Sequence, residues 1–75
     1  MDKQQLAKII GNNIKALRKI EGINQAELAR RCFKDKQAIE KIENGKVNAT
    51  IHSLYIIASA LNKELGDLVT IKPRT

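Results

Sequence analysis

A chain of 75 residues is long enough for one domain with a modest core, and its net charge of +6 predicts attraction to a polyanion, nucleic acid before anionic membrane. The single cysteine excludes an intramolecular disulfide, one cysteine with one histidine excludes a metal site of conventional spacing, and Phe33 and Tyr55 are too few aromatic rings for a base-stacking platform. No apolar run approaches the ~18 residues of a transmembrane helix and the N-terminus lacks the pattern of a signal peptide, so we expect a cytoplasmic protein without a membrane partner.

The first predicted helix runs from about Lys3 to Glu21. Its large apolar residues recur at intervals of three or four, which is the spacing of an amphipathic helix. Gly22 follows directly, and glycine readily takes the left-handed conformation that ends a helix. The residues expected to form the core-facing stripe are Leu6, Ile10, Ile14 and Leu17.

Two short helices are predicted next, and they are joined by about three residues. The first spans Gln25–Cys32, with Asn24 as its N-cap and Glu27 three residues further on, as in a capping box. The second spans Lys36–Asn44 and begins after Asp35, another good N-cap. This spacing is typical of a helix-turn-helix, in which the first turn of the second helix enters the major groove of DNA.

The remaining sequence predicts two further helices. The fourth begins after Thr50 and runs to about Leu61, and the fifth covers Leu65–Val69. Residues 70–75 are expected to be a frayed tail of a single domain that occupies residues 1–75. The residues of the fourth helix that we expect to face the core are Ile51, Leu54, Ile57, Ala58 and Leu61.

Tyr55 and Ile56 lie off that inward stripe, where polar residues would be expected. A small monomer seldom exposes an apolar patch without a reason. Together with Leu65 and Leu68 of the last helix, they predict a self-association surface for a homodimer. The alternative is a larger core that takes these side chains in.

Lysine and glutamine stand at the start of the second helix of the predicted helix-turn-helix. Lys36 can donate to O6 and N7 of guanine, and Gln37 can pair with N6 and N7 of adenine. Lys34, in the turn, is placed to contact a phosphate group. The alternative for each is a solvated side chain on a surface helix.

Three stretches resemble the phage repressor/Cro-like (XRE) helix-turn-helix family over roughly residues 10–69. They are Asn24-Gln-Ala-Glu-Leu-Ala, Gln37-Ala-Ile-Glu-Lys-Ile-Glu-Asn-Gly-Lys and Ser53-Leu followed by Ala58-Ser-Ala-Leu. The resemblance implies an all-α, compact five-helix lambda-repressor-like domain, double-stranded DNA as the ligand, and a symmetric dimer on a pseudo-palindromic operator.

The resemblance also assigns roles to individual positions. Arg18 and Glu43 match a partly buried ion pair that ties the first helix to the end of the recognition helix. The family usually has glycine in the turn, where this chain has Phe33, so either Phe33 takes a positive φ or the turn is built differently. The implied DNA contacts are a phosphate contact from Gln25, base reading by Lys36, Gln37 and Lys41, and backbone contacts from Asn44 and Lys46.

These features together favour a transcriptional regulator, a repressor that binds a palindromic operator as a homodimer and needs no cofactor. Free-standing members of the family include phage repressors, restriction–modification controllers and antitoxins. The alternative is therefore an antitoxin, or another protein-interaction module of a toxin–antitoxin pair, that also binds its own operator. An enzyme is not expected, because the sequence lacks a nucleophile–base, paired-carboxylate, phosphate-loop or metal pattern.

Overall fold

Five α-helices and no strand make up residues 1–71, which are the residues that a computed structural model of the protein describes. The all-α class and all five predicted helices are confirmed, with every helix end within one residue of its expected position. The helices are α1 (Lys3–Ile20), α2 (Gln25–Arg31), α3 (Lys36–Glu43), α4 (Ile51–Ala60) and α5 (Leu65–Val69).

Side-chain caps set the starts of the first four helices. Asp35 Oδ1 accepts a hydrogen bond from the Ala38 N–H at 2.8 Å, and this bond fixes the first turn of α3. The predicted capping box at Asn24 forms only halfway, because the Glu27 carboxylate bonds to arginines instead. The four capping residues are Asp2, Asn24, Asp35 and Thr50.

The core lies between α1 and the four shorter helices. Ile14, Leu28, Ile39, Ile57 and Leu61 are completely shielded from solvent, and each comes from the apolar stripe of its own helix. The buried apolar residues that pack together are Ile14, Leu28, Ala29, Cys32, Ile39, Ile42, Leu54, Ile57, Ala58, Leu61 and Leu68.

The buried face of α1 differs from the predicted stripe. Leu6 is exposed, and Ile10 and Leu17 are only half-buried. The reason is a close approach of backbones: a Cβ at Gly11 would lie 2.4 Å from the Ile42 carbonyl oxygen. Because α1 can approach α3 only along small side chains, its inward face is rotated toward Ala7, Gly11, Ile14 and Arg18.

Helix α4 follows the prediction except at its first residue. Leu54, Ile57 and Ala58 are buried as expected, and so is Leu61, the residue that caps the helix. Ile51 is 68% exposed, so its expected place in the core is wrong. It lies in the first turn at the edge of an open groove, beyond the helices that cover the rest of α4.

Helix α5 is tied to α1 by a side chain that the sequence pattern did not single out. Asn13 Nδ2 donates to the carbonyl oxygens of Leu68 at 2.9 Å and Thr70 at 3.0 Å. These bonds satisfy carbonyls at the helix end, which have no partner within the helix. The carbonyl group of Thr70, where the frayed tail was predicted to begin, is thus hydrogen-bonded to α1. The rest of the predicted tail, from residue 72 onward, lies outside the described residues. No helix in residues 1–71 is long and apolar enough to cross a membrane.

Candidate nucleic-acid interface

Helices α2 and α3 form the predicted helix-turn-helix. They pack through Leu28 and Ala29 on one side and Ile39 on the other, and all three residues are buried. The turn between them consists of residues 32–35. Because one face of α3 is buried against α2 and α1, its opposite face is left for a ligand.

That free face of α3 carries the side chains predicted to read bases. Lys36, Gln37 and Lys41 are all exposed. Gln37 and Lys41 are four residues apart and therefore lie on the same side of the helix, one turn from each other. Asn44, the C-cap of α3, is exposed one turn further on. The four residues thus form a polar row along the exposed face of α3, and their side chains are of types that can form hydrogen bonds with base edges.

A buried ion pair holds α3 against α1, as the resemblance implied. Arg18 Nε donates to Glu43 Oε2 at 2.7 Å, and Nη2 donates to Oε1 at 3.0 Å. The two side chains are 10% and 0% exposed, so the pair is more deeply buried than expected. Arg18 Nη1 also donates to the Ile23 carbonyl oxygen at 2.9 Å. The bidentate geometry fixes the orientation of α3 relative to α1.

Gln25, the predicted phosphate contact, is part of the same network. Its Nε2 donates to Glu43 Oε1 at 3.0 Å, which leaves the second Nε2 hydrogen free to donate elsewhere. The residues around it line an open groove of about 410 Å³: Arg18, Asn24, Gln25, Ala26 and Lys36. The start of α2 and the start of α3 therefore meet at one surface, with the carboxamide of Gln25 held in place from behind by Glu43.

A cationic cluster lies at the C-terminal end of α3. Lys46 and Asn44, both predicted to contact the DNA backbone, line an open groove with Lys3 and Lys8 of α1. The contact between α1 and this loop is tight, because a Cβ on Gly45 (φ +69°) would lie 2.6 Å from Lys8 Cγ. The sequence pattern did not identify Lys3 and Lys8, since only the packing of α1 on α3 brings them beside residues 44–46.

The conformation of Phe33 shows how the turn of the helix-turn-helix is built without glycine. Phe33 adopts φ +57°, so it takes the left-handed conformation that glycine takes in the family. The next residue, Lys34, is half-buried, and its Nζ donates to Ser53 Oγ at 3.3 Å. Lys34 therefore links the turn to α4, and a phosphate contact from it would have to share or replace this bond.

The arginines of α2 are partly neutralised within the helix. Arg30 and Arg31 both donate to the Glu27 carboxylate, at 2.6 and 2.9 Å for the closest pairs. These hydrogen bonds lower the pKa of Glu27, and the bonds that Arg30 donates to Glu27 raise the pKa of Arg30. Lys36, Lys41 and Lys46, in contrast, make no ion pair with an acidic side chain among residues 1–71.

The residues predicted to form a dimer surface divide into three groups. Tyr55 is 59% exposed and available to a second copy. Ile56 and Leu65 are half-buried and pack against the core. Leu68 is completely buried within the chain, so its predicted place on the self-association surface is wrong. Helix α5 packs this side chain into the core, and Asn13 bonds to the end of that helix.

Cys32 lies in the core. The thiol of Cys32 is buried, and this burial raises its pKa, so the residue is a core side chain rather than a nucleophile. Among residues 1–71, no group of three His, Cys, Asp or Glu side chains is arranged to hold a metal ion.

Comparison with known proteins agrees with this geometry. Residues 14–68 match the helix-turn-helix family HTH_3. A relative described as an uncharacterised HTH-type transcriptional regulator from Sinorhizobium fredii is 34% identical over 65 residues, which is 87% of this chain and 84% of the relative. The chain belongs to the HTH_3 helix-turn-helix family, and the resemblance to the repressor/Cro-like (XRE) proteins is confirmed.

Two solved structures show the same fold along almost the whole chain. A hypothetical transcription factor from Neisseria superposes with a TM-score of 0.84 at 27% identity, over 93% of this chain and 80% of that one. The restriction–modification controller protein C.AhdI from Aeromonas hydrophila superposes with a TM-score of 0.86 at 25% identity, over 91% of this chain and 99% of that one. The protein is thus a transcriptional regulator with a helix-turn-helix DNA-binding domain and not an enzyme.

Proposed function

We propose that the protein is a cytoplasmic repressor that binds a palindromic operator as a homodimer. In each half-site, α3 lies in the major groove, and Lys36, Gln37 and Lys41 contact base edges. Gln25, Lys34, Asn44 and Lys46 bind the phosphates on either side. The observation that carries this proposal is the exposed polar row on α3, flanked by a cationic cluster at one end and Gln25 at the other.

The physical support for base reading is the rigidity of the face that carries the row. Base discrimination requires donors and acceptors held in position, because a side chain on a moving helix cannot reject a wrong base. Helix α3 is capped at Asp35, packed through Ile39 and Ile42, and anchored at Glu43 by the bidentate Arg18. Lys36 and Gln37 therefore project from a helix that is fixed at both ends.

The support for a dimer is the exposed apolar surface of α4. Tyr55 is exposed on a helix whose opposite side is fully packed, with half-buried Ile56 beside it and half-buried Leu65 in the adjoining α5. A two-fold contact through this surface buries the same patch on both copies. It would place two copies of α3 on one side of the DNA, about one helical turn or 34 Å apart.

Selection of bound duplexes from a random pool, followed by footprinting, tests the proposal directly. We expect an inverted repeat, with a strong salt dependence of roughly 0.9 log units of binding constant per log unit of salt for each phosphate neutralised. A protein that selects no sequence, or whose binding is insensitive to salt, is not the proposed operator-binding repressor.

Two single variants then separate base contacts from phosphate contacts. Gln37→Ala should change the preferred base at one position of each half-site, at a cost of about 1–3 kcal/mol for the original base. Lys46→Ala should weaken binding to all sequences alike and reduce the salt slope by about 1. Lys63→Ala, in the turn between α4 and α5, is the matched control and should do neither. If Gln37→Ala selects the same motif as the wild type, α3 does not read bases in the major groove.

A further inference from the structure

Phe33 combines a strained backbone with a fully exposed aromatic ring. Its φ of +57° lies in the left-handed region, which is unfavourable for any residue with a Cβ and especially for a bulky one. Its side chain is 96% exposed, more than any other large apolar residue among residues 1–71. The backbone of the turn is hydrogen-bonded to α2, but the exposed ring gains almost no packing within the described chain that could offset the strain. Strain of this kind is typical of functional positions.

The turn between α4 and α5 provides an internal comparison. Asn62 adopts φ +58°, and the next N–H donates back to the preceding helix at 2.9 Å, from Lys63 to Ala58. The turn after α2 has the same design, with the Lys34 N–H donating to Ala29 at 2.9 Å. Asparagine adopts the left-handed conformation at little cost, whereas for phenylalanine it is sterically unfavourable. The two turns share one backbone geometry, and only the turn beside the recognition helix carries a residue unsuited to it.

The surroundings of the ring indicate what it contacts. Phe33 lies two residues before the N-cap of α3 and is followed by Lys34 and Lys36, while Arg30 is exposed on the preceding turn. A cationic border of this kind repels most basic surfaces and attracts a polyanion. DNA also presents apolar groups to a ring at the edge of the major groove: the C5-methyl of thymine and the carbons of deoxyribose.

We propose that Phe33 is a direct DNA contact, whose ring packs on an apolar group of the duplex at the edge of each half-site. The inference rests on the proposed function and adds a residue that the family pattern, with glycine in the turn, does not provide. In this chain, backbone strain in the free protein is retained because the ring gains contact area in the complex.

The inference predicts that stability and affinity change in opposite directions. Phe33→Gly should relieve the strain and raise Tm by about 4–8 °C, yet weaken binding to the selected operator about tenfold. Phe33→Asn, which keeps a side chain suited to this φ but removes the ring, should weaken binding equally. Because the lost contact is apolar, the salt slope should stay at its wild-type value, unlike that of Lys46→Ala.

Asn62→Gly is the matched control, since it changes the other left-handed turn. It should leave affinity unchanged, with at most a small change in Tm. Operators in which single thymines are replaced by deoxyuridine identify the apolar group. If one replacement per half-site weakens the wild type about tenfold and leaves Phe33→Gly unaffected, the ring contacts a methyl group. If no replacement does so, the ring packs on deoxyribose.

Wild-type affinity in both Phe33 variants would overturn the inference while leaving the proposed function intact, and would point to a protein partner for the ring. If the wild type itself binds no duplex, the proposed function fails and the inference fails with it. A salt slope that falls in Phe33→Gly would also overturn it, because the loss would then be electrostatic.

Discussion

The side chain of Glu43 is completely buried, and its carboxylate accepts three hydrogen bonds from Arg18 and Gln25. Arg18 is nearly as well buried, and its Nη1 donates to the Ile23 carbonyl oxygen. A pair buried this deeply is not a large source of net stability, since both charges lose their hydration. It is, however, costly to break, because the remaining charge stays largely buried and loses its ionic partner.

We therefore predict that Glu43→Ala destabilises the fold by about 3–5 kcal/mol. For a domain of this size, 1 kcal/mol corresponds to roughly 4–8 °C, so Tm should fall by more than about 10 °C. Thermal unfolding followed by circular dichroism measures the change. Glu27→Ala is the matched control at the exposed arginine pairs of α2 and should alter Tm little. Equal changes in Tm for the two variants would mean that the burial of Glu43 does not add to the cost of losing its ion pair.

At the scale of elements, the contact of α1 with the C-terminal end of α3 determines where the recognition helix lies. Gly11 permits this contact, because a Cβ there would come within 2.4–2.5 Å of the Ile42 and Glu43 carbonyl oxygens. Arg18 forms its ion pair two turns further along the same face of α1. Close packing at Gly11 and the ion pair of Arg18 thus both hold α1 against α3.

Gly11→Ala should therefore destabilise the protein, although alanine favours helices by about 1 kcal/mol over glycine. Overpacking against a backbone costs about 1–3 kcal/mol, because carbonyl oxygens cannot move aside as a side chain can. Gly66→Ala in α5 is the control, since nothing lies within 4 Å of its added Cβ, and it should stabilise the fold by up to about 1 kcal/mol. Urea unfolding of both variants gives the signs, and a stabilising Gly11→Ala would contradict the close packing of α1 on α3.

At the scale of the whole molecule, the exposed apolar residues offer two separate faces to a second copy. One is centred on Tyr55 of α4. The other is an open apolar groove of about 400 Å³ between α1, the loop after α3 and the start of α4, bordered by the exposed Leu6, Val47 and Ile51. Tyr55 is favoured for the dimer, because half-buried Ile56 and Leu65 extend its surface along two helices.

Tyr55→Glu should produce a folded monomer, since it places a charge at the centre of both copies of the patch without touching the core. Affinity for the full palindrome should then fall by at least about 100-fold, toward that for a half-site. Ile51→Glu is the matched variant on the groove and should remain dimeric. Sedimentation, together with circular dichroism to check the fold, distinguishes the two faces. If Ile51→Glu is monomeric and Tyr55→Glu is dimeric, the dimer interface lies in the groove and not at Tyr55.

The sequence by itself determined the helices, because helix starts and ends depend on neighbouring residues. Asn24, Asp35 and Thr50 cap the next N–H groups along the chain, and Gly22 and Gly45 take the positive φ that follows a helix. The spacing of α2 and α3 follows from the same local rules. The buried pair of Arg18 and Glu43 could be predicted only through the resemblance to the family.

The tertiary structure decided which face of each helix is buried, because that depends on contacts between residues far apart in the chain. The inward rotation of α1 arises from the approach of Gly11 to α3, which no periodicity within α1 reveals. Leu68 is buried rather than available to a partner because α5 packs its side chain into the core, and Asn13 bonds to the end of that helix. The same packing brings Lys8 beside Lys46 and leaves Phe33 without a neighbour. Local chemistry thus determines where helices lie in the sequence, while close contacts between backbones decide which side chains remain for a ligand.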